Sequence, residues 1–191
     1  MSTANELFEQ YKQAGAQKRW REHHTDWKLQ QFNTLYKYVD APYLILLAPK
    51  SKRPLEGYMW SEKSLTRDGA IYYMGAGYNI GIVAGFSKPK LCIVDKDNDK
   101  DGADNWQTLT SKTPRGFQYF FIDDFDDRPR LVEWARKKGY DLPRTGITYV
   151  LIPPSETCIN DSKEHDCIRH EYRLRYWLRE KPLMKISEVI S

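Results

Sequence analysis

The chain has 191 residues, with 30 lysines and arginines against 26 aspartates and glutamates, a net charge of +4, and 40% hydrophobic and 14% aromatic side chains. That is enough apolar material for one domain, or one domain with a small appendage, to bury a real core, and the weakly basic balance suits an anionic partner without demanding one. The opening MSTANELFEQYKQ lacks the basic-then-apolar layout of a signal peptide, and the longest apolar runs, such as Leu44 to Ala48, are too short to cross a bilayer. These features exclude a membrane-spanning chain and predict a cytoplasmic protein.

Residues 1–40 are polar and rich in Gln, Lys and Arg, with apolar positions at helical spacing: Leu7, Phe8 and Tyr11, then Trp27, Phe32, Leu35, Tyr36 and Val39. Two helices are predicted there. From Pro42 the pattern changes to short β-like runs bounded by Gly, Pro and Lys: YLILLA, NIGIVAG, LCIVD, FQYFFI, ITYVLI and YRLRYW. Helical stretches are predicted between them at Ala103 to Leu109 and Arg130 to Lys138, the latter closed by Gly139. The tail KPLMKISEVIS reads equally as a last helix or the start of a linker. Strands interleaved with helices predict an α+β or α/β sheet protein.

LCIVDKDNDKDG carries four aspartates at alternate positions, Asp95, Asp97, Asp99 and Asp101. LCIV is strand-like, so Asp95 falls at a strand end, and alternation puts Asp97 on the same face. Two carboxylates so placed repel unless a divalent cation lies between them, the layout that two-metal nucleotidyl transfer needs. A solvated acidic turn is the plainer alternative. Asp97, Asp99, Asp101 and Gly102 also match positions one, three, five and six of an EF-hand calcium loop. Against calcium, position twelve is Thr108 rather than Glu, position eight is Asp104, and the preceding run is a strand. Asp99 and Asp101 are therefore assigned to a turn.

CINDSKEHDCIRH places Cys158, His165, Cys167 and His170 within thirteen residues, and two thiolates with two imidazoles suit tetrahedral zinc. With Cys92 the cysteine count is odd, which also argues for a metal rather than a disulfide framework. The following YRLRYW alternates Tyr172, Leu174 and Tyr176 with Arg173, Arg175 and Trp177, either a half-exposed strand or a face that holds a phosphate backbone and stacks a base.

Several segments in order resemble the primase-polymerase (Prim-Pol) domain of archaeal plasmid replication proteins, within the archaeo-eukaryotic primase superfamily. LAPKSKRPLEGYMW, GYNIGIVAG, VDKD, TPRGFQYFF and TYVLIPPS look like successive family segments from about Leu44 to Trp177. The resemblance implies a primase-type α+β fold with an RRM-like sheet, N-terminal helices over 1–40, a catalytic domain over 41–180 with a zinc stem at about 156–171, and a tail over 181–191. It implies a DNA primase/DNA polymerase acting in plasmid or viral replication, using a DNA template and dNTP or NTP, with Mg²⁺ or Mn²⁺ on Asp95, Asp97 and Asp141 and a structural Zn²⁺ on the Cys/His set. A helicase domain or partner beyond the C-terminus is a further implication. Gln118 stands where the family has a phosphate-contacting histidine; a glutamine donates a hydrogen bond but carries no charge, and Arg115 is expected to supply it. Lys50, Lys52 and Asn79 are nucleotide or template contacts by the same resemblance. A non-catalytic nucleic-acid-binding relative is the alternative reading, and a calcium-binding protein the second.

Overall fold

The computed structural model describes residues 26–98, 102–158 and 172–190. Among them are three α-helices and ten strands, a mixed α/β architecture of antiparallel sheets compatible with α+β.

The first sheet is built from short apolar runs too continuous to have a wet face. Strand β1 (Leu44–Leu47) pairs antiparallel with β2 (Asn79–Val83), and every residue of both is buried. Strand β6 (Tyr149–Leu151) joins the other edge of β2, with Gly81 opposite Leu151. Helix α1 (Asp26–Tyr38) adds Phe32 and Leu35 to the core of this sheet, with Val39 just past its end on the same stripe. Helix α2 (Arg67–Gly75) adds Ala70, Tyr73 and Met74. It begins at Thr66, whose hydroxyl accepts from the Gly69 N–H at 3.1 Å, a side-chain cap for an otherwise unpaired donor.

The second sheet is centred on β5 (Phe117–Ile122). Strand β3 (Leu91–Lys96) runs antiparallel along one whole edge of it. On the other edge, β4 (Thr110–Lys112) pairs with the N-terminal half and β10 (Met184–Lys185), parallel, with the C-terminal half. Strand β9 (Tyr176–Arg179) lies outside β4. A separate ladder joins β7 (Glu156–Cys158) to β8 (Tyr172–Leu174), with Cys158 opposite Tyr172.

Because strand side chains alternate, the second sheet sorts its residues by parity. Cys92, Val94, Phe117, Tyr119 and Phe121 face helix α3 (Arg128–Lys137), packing with Leu131, Trp134 and Ala135. Leu91, Ile93, Leu109, Phe120 and Trp177 face the other way and join the core of the first sheet and α1. Trp177 also binds α1 directly: its backbone N–H donates to Gln31 Oε1 at 2.7 Å and its indole N–H to the Gln31 carbonyl at 2.6 Å.

Several expectations need correction. The segment 103–109 is not helical. Its apolar residues Ala103, Trp106 and Leu109 imitate a helical stripe, yet Trp106 packs against Trp134 and Phe121, and the Leu109 carbonyl accepts from the Phe120 N–H at 2.9 Å, extending the sheet. YRLRYW is two strands broken at Arg175; Arg175 and Trp177 share a face as expected, and that face is the buried one while Tyr176 is exposed. The tail is neither helix nor linker, since β10 and the 3-10 turn Ile186–Glu188 bring Ile186, Val189 and Ile190 into the α3 cluster. Strands β4 and β10 and helix α2 were not anticipated. Of the two N-terminal helices, α1 is present and the other falls in residues 1–25, outside the described residues. Helix α3 ends as expected, with Gly139 at φ 72° just past its cap residue Lys138, a conformation that suits glycine.

Candidate active site

Asp95 has the parity of Leu91 and Ile93, so it continues the inner face of β3 beyond the point where that face stops being apolar. The same change occurs across the sheet. Gln118 lies opposite Asp95, Ser111 lies opposite Gln118, and Arg175 precedes Trp177 by two positions. Asp95, Gln118 and Arg175 floor a cleft of ≈540 Å³ whose wall includes Lys52, Trp60, Asp97, Arg115, Asp141, Arg144 and Tyr149, with Ser111 behind Gln118.

The three aspartates are brought together from two directions. Asp97 lies just beyond the end of β3 and lines the same cleft. Asp141 arrives on an irregular segment laid along the edge of β3 away from β5. Its N–H donates to the Asp95 carbonyl at 2.9 Å, and Ile93 and Arg144 exchange backbone hydrogen bonds at 2.8 and 2.9 Å. Pro143 lies inside this segment, where regular pairing would lack a donor. The side chain of Asp141 is exposed at the cleft.

A close approach of backbones fixes the mouth. The turn after β4 is closed by the Thr113 N–H donating to the Gly116 carbonyl and the Gly116 N–H donating to Thr113 Oγ1, both at 2.9 Å. A Cβ on Gly116 would stand 1.7 Å from the Lys96 carbonyl oxygen. Only glycine lets this turn touch the end of β3, and the contact carries Arg115 to Asp97, where Nη2 meets Oδ2 at 2.6 Å.

Burial pushes the Asp95 carboxyl above the usual carboxylate range; Arg175, a hydrogen bond from Gln118 and Arg144 pull it back, and Asp97 raises it further. Burial therefore outweighs the nearby cations. Gln118 is 3% exposed, and its Oε1 accepts from Arg175 Nη1 at 2.9 Å and Ser111 Oγ at 3.3 Å. With the amide oxygen turned to two donors, the amide nitrogen is left for Asp95.

Other expected site residues lie elsewhere. Asn79 is buried outside the cleft wall: its Nδ2 donates to the Ser51 and Glu156 carbonyls at 2.9 and 2.8 Å, and its Oδ1 accepts from the Glu156 N–H at 2.9 Å. It ties β2 to β7 and to the loop after β1. Lys50 sits in that loop at φ 57°, exposed and away from the cleft, whereas Lys52 lines it. Sequence reasoning passed over Arg144 as a site residue and left Arg175, on one face with Trp177, either on a half-exposed strand or on a face that holds a phosphate backbone; the burial of Trp177 shows that this face turns inward. Of the expected zinc set, His165, Cys167 and His170 lie outside the described residues, and Cys158 is described only as the end of β7.

Asp104 ties residues 102–108 to the end of β3 and to Tyr140. Lys96 Nζ donates to Asp104 Oδ1 at 3.0 Å and the Tyr140 hydroxyl to Oδ2 at 2.6 Å, while the Trp106 indole N–H donates to the Tyr140 oxygen at 2.9 Å. Thr108, position twelve of a calcium loop, is fully buried with its hydroxyl bound to the Phe120 carbonyl, so the calcium alternative fails. For Asp104 burial is the largest influence and raises its pKa, but the Tyr140 and Lys96 hydrogen bonds together leave it lowered. A lowered carboxyl contributes stability that is present above its unfolded value and lost as pH falls through its folded one. Tyr140→Phe should cost about 1–3 kcal/mol at neutral pH by leaving the Trp106 N–H without its acceptor, and should shrink the acid-side loss of stability, as urea titrations at pH 7 and pH 4 will read.

Hard oxygen donors of this kind fit Mg²⁺ or Mn²⁺, which bind through one or two carboxylates and complete their shell with water and phosphate oxygens. Among the described residues no three His, Cys, Asp or Glu side chains converge on one point.

Residues 36–182 match the Prim-Pol family, described as bifunctional DNA primase/polymerase, N-terminal. The match spans well over half of the chain, which therefore belongs to the Prim-Pol family. Its members carry a nucleotidyltransferase-type domain with DNA and nucleotides as substrates. No curated protein matches the chain. No helix among the described residues is long and apolar enough to cross a membrane.

Proposed function

We propose that this chain is an active DNA primase/polymerase domain serving plasmid or viral DNA replication, with Asp95 and Asp97 as metal ligands and Asp141 as an outer carboxylate. The observation that carries this reading is the polar end of an otherwise apolar sheet face. Asp95 is held there partly desolvated, in one cleft with Asp97 and Asp141 and with Lys52, Arg115, Arg144 and Arg175. A carboxylate buried at a free energy cost, in one cleft with other carboxylates and several cations, is the arrangement that functional sites favour. Mg²⁺ or Mn²⁺, when bound, supplies Lewis-acid stabilisation of phosphoryl charge and lowers the pKa of an attacking hydroxyl. The chain's own part is to hold the two ligands on one strand end, to set Asp141 beside them through the Asp95 carbonyl, and to surround the phosphates with cations.

Arg115 changes roles in this scheme. It pairs with Asp97 at 2.6 Å and would turn to a bound triphosphate. Arg115→Ala should weaken dNTP binding about tenfold and, in the absence of nucleotide, tighten Mn²⁺ binding, both measurable by calorimetry.

The zinc assignment to Cys158, His165, Cys167 and His170 also belongs to the proposal. Its support is the donor chemistry and the β7–β8 ladder, in which residue 158 pairs with residue 172. The narrower likeness to the archaeal plasmid branch rests on the Pro-Pro-Ser strand end preceding that segment.

The deciding measurement is primer extension and de novo primer synthesis on single-stranded DNA with Mg²⁺, Mn²⁺ or chelator. Incorporation that needs either ion supports the reading. Salt-sensitive DNA binding with no incorporation under any ion would replace it with the non-catalytic alternative.

A further inference from the structure

The cleft has two kinds of wall. Asp95, Asp97, Arg115 and Gln118 stand on one side, at the end of β3, the start of β5 and the turn before it, whereas the side built on the first sheet is aromatic. Trp60 and Tyr149 line it there, packed edge to face with ring centroids 5.7 Å apart and backed by the first core. Both residues are tethered. The Tyr149 hydroxyl donates to the Lys52 carbonyl at 3.2 Å, and the Trp60 carbonyl accepts from the Tyr43 hydroxyl at 3.1 Å. Phosphate groups gain nothing from such a wall, but a flat apolar ligand does.

The apolar side continues past the mouth. The segment after Arg144 is clamped to the 3-10 turn Ala84–Phe86: the Gly85 N–H donates to the Gly146 carbonyl at 2.6 Å, and a Cβ on Gly85 would stand 2.6 Å from the Gly146 Cα. Only glycine allows this approach, which sets the residues that follow the two glycines, Phe86 and Ile147, near one another. They are 40% and 68% exposed, Ile147 lining the cleft and Phe86 packed edge to face on Tyr43 at 5.1 Å. Tyr43 thereby ties the inner aromatic, Trp60, to the outer one, Phe86, and Lys88 stands exposed two residues further on. Large apolar groups left open to water from a charged cleft out to the surface mark a place that a ligand covers. A ligand with flat apolar groups on an anionic backbone fits both walls, and it is longer than one nucleotide because the aromatic side runs beyond the cleft.

We propose that Trp60, Tyr149 and Phe86 form a stacking track for single-stranded DNA: bases of the strand rest on Trp60 and Tyr149 inside the cleft and on Phe86 outside it, with Lys88 beside the backbone at the outer end. Stacking of this kind tolerates any sequence, since every base has a π-face. That the strand is a template rests on the polymerase reading; that the track takes a single strand does not.

The test uses the full chain and three probes: a fluorescein-labelled oligothymidylate of about 16 nucleotides, the same sugar-phosphate strand without bases, and dATP. Phe86→Ala and Trp60→Leu should each weaken oligothymidylate binding about 5- to 100-fold in anisotropy titrations, while the abasic strand and dATP bind as to wild type. The slope of log Kd against log salt should stay the same in both variants and fall by about 0.7 in Lys88→Ala, the share of one phosphate contact. The inference is overturned if the wild-type chain binds both strands equally, if a folded Phe86→Ala keeps wild-type affinity, or if the variants lose both strands alike. It is also overturned if dATP affinity falls in place of strand affinity, which would give the wall to the base of a mononucleotide. Should Trp60→Leu fail to fold, Phe86→Ala, at the surface, decides. Primer extension on the same samples separates the two ideas: base-dependent strand binding without extension removes the polymerase reading and leaves the track standing, and extension with base-independent binding does the reverse.

Discussion

Asp95→Asn should abolish nucleotide incorporation while making the metal-free protein more stable. The loss follows from removing the charge that an ion needs: several kcal/mol of transition-state stabilisation correspond to a rate reduction of about 10³-fold or more. The gain in stability follows from burial. The folded chain holds the Asp95 carboxyl above its ordinary pKa, so the ionised form is disfavoured by folding. For a raised group, stability is fully present below the unfolded pKa and is lost as pH rises through the folded one. At neutral pH wild type therefore bears a penalty that a neutral amide of the same shape does not. Thermal melts in chelator should show a higher Tm for Asp95→Asn, each kcal/mol being worth about 2–4 °C in a chain of this size. Added Mn²⁺ should raise the Tm of wild type and leave the variant unmoved. A lower Tm in chelator would mean that the attraction between Asp95 and Arg175 outweighs desolvation, and retained incorporation would remove Asp95 from the chemistry.

Gly116→Ala has the second large effect, and it acts through geometry alone. The new methyl group would stand 1.7 Å from the Lys96 carbonyl oxygen and 3.1 Å from the Asp97 Cα, and both neighbours are backbone. Neither yields as a flexible side chain would, so the turn must leave the end of β3. A cost upward of about 3 kcal/mol is expected, the upper range for an added group with no room, hence a Tm lower by about 6–12 °C. Incorporation should fall further than stability, because the displaced turn carries Arg115 and the strand end it leaves carries Asp97. Thr113→Val is the graded control: it removes only the acceptor of the Gly116 N–H at 2.9 Å and should cost about 1 kcal/mol. Wild-type Tm and activity in Gly116→Ala would refute the clamp.

The parts of the fold legible in the sequence were those whose side chains repeat one environment. LILL, NIGIV, LCIVDK and FQYFFI became strands β1, β2, β3 and β5 because each is built round a run of apolar residues bounded by breakers or charged residues. Helix α3 was legible from its stripe and its closing glycine. Strand β4 was not, because TSK has no apolar residue and is a strand only through its partners β5 and β9. The segment around Trp106 misled because a period of three in its apolar residues arose from tertiary packing, not from a helix.

The site divides in the same way. Asp95 and Asp97 were legible because a strand's alternation is local. Asp141 was legible as a residue but not as a geometry, for the backbone bond that brings it to Asp95 joins positions far apart in sequence. Asn79 looked like a ligand contact because its neighbours match a family segment, while its amide is spent on cross-linking three backbone groups. Arg175 was taken for a partly wet side chain because arginines usually are, and only the pairing of Trp177 with Ser111 shows which way that strand turns.

Strand β5 is covered along both edges, by β3 on one side and by β4 and β10 in turn on the other. Its amide protons should accordingly be the last in the molecule to exchange with deuterated solvent, opening only when the whole domain unfolds. Gln118 rides on that slowest strand, while Asp97 and Arg115 stand on backbone just past strand ends, where amides exchange early. The cleft thus sets one wall on the strand paired along both edges and the other on backbone beyond the strand ends, held there by the Gly116 contact.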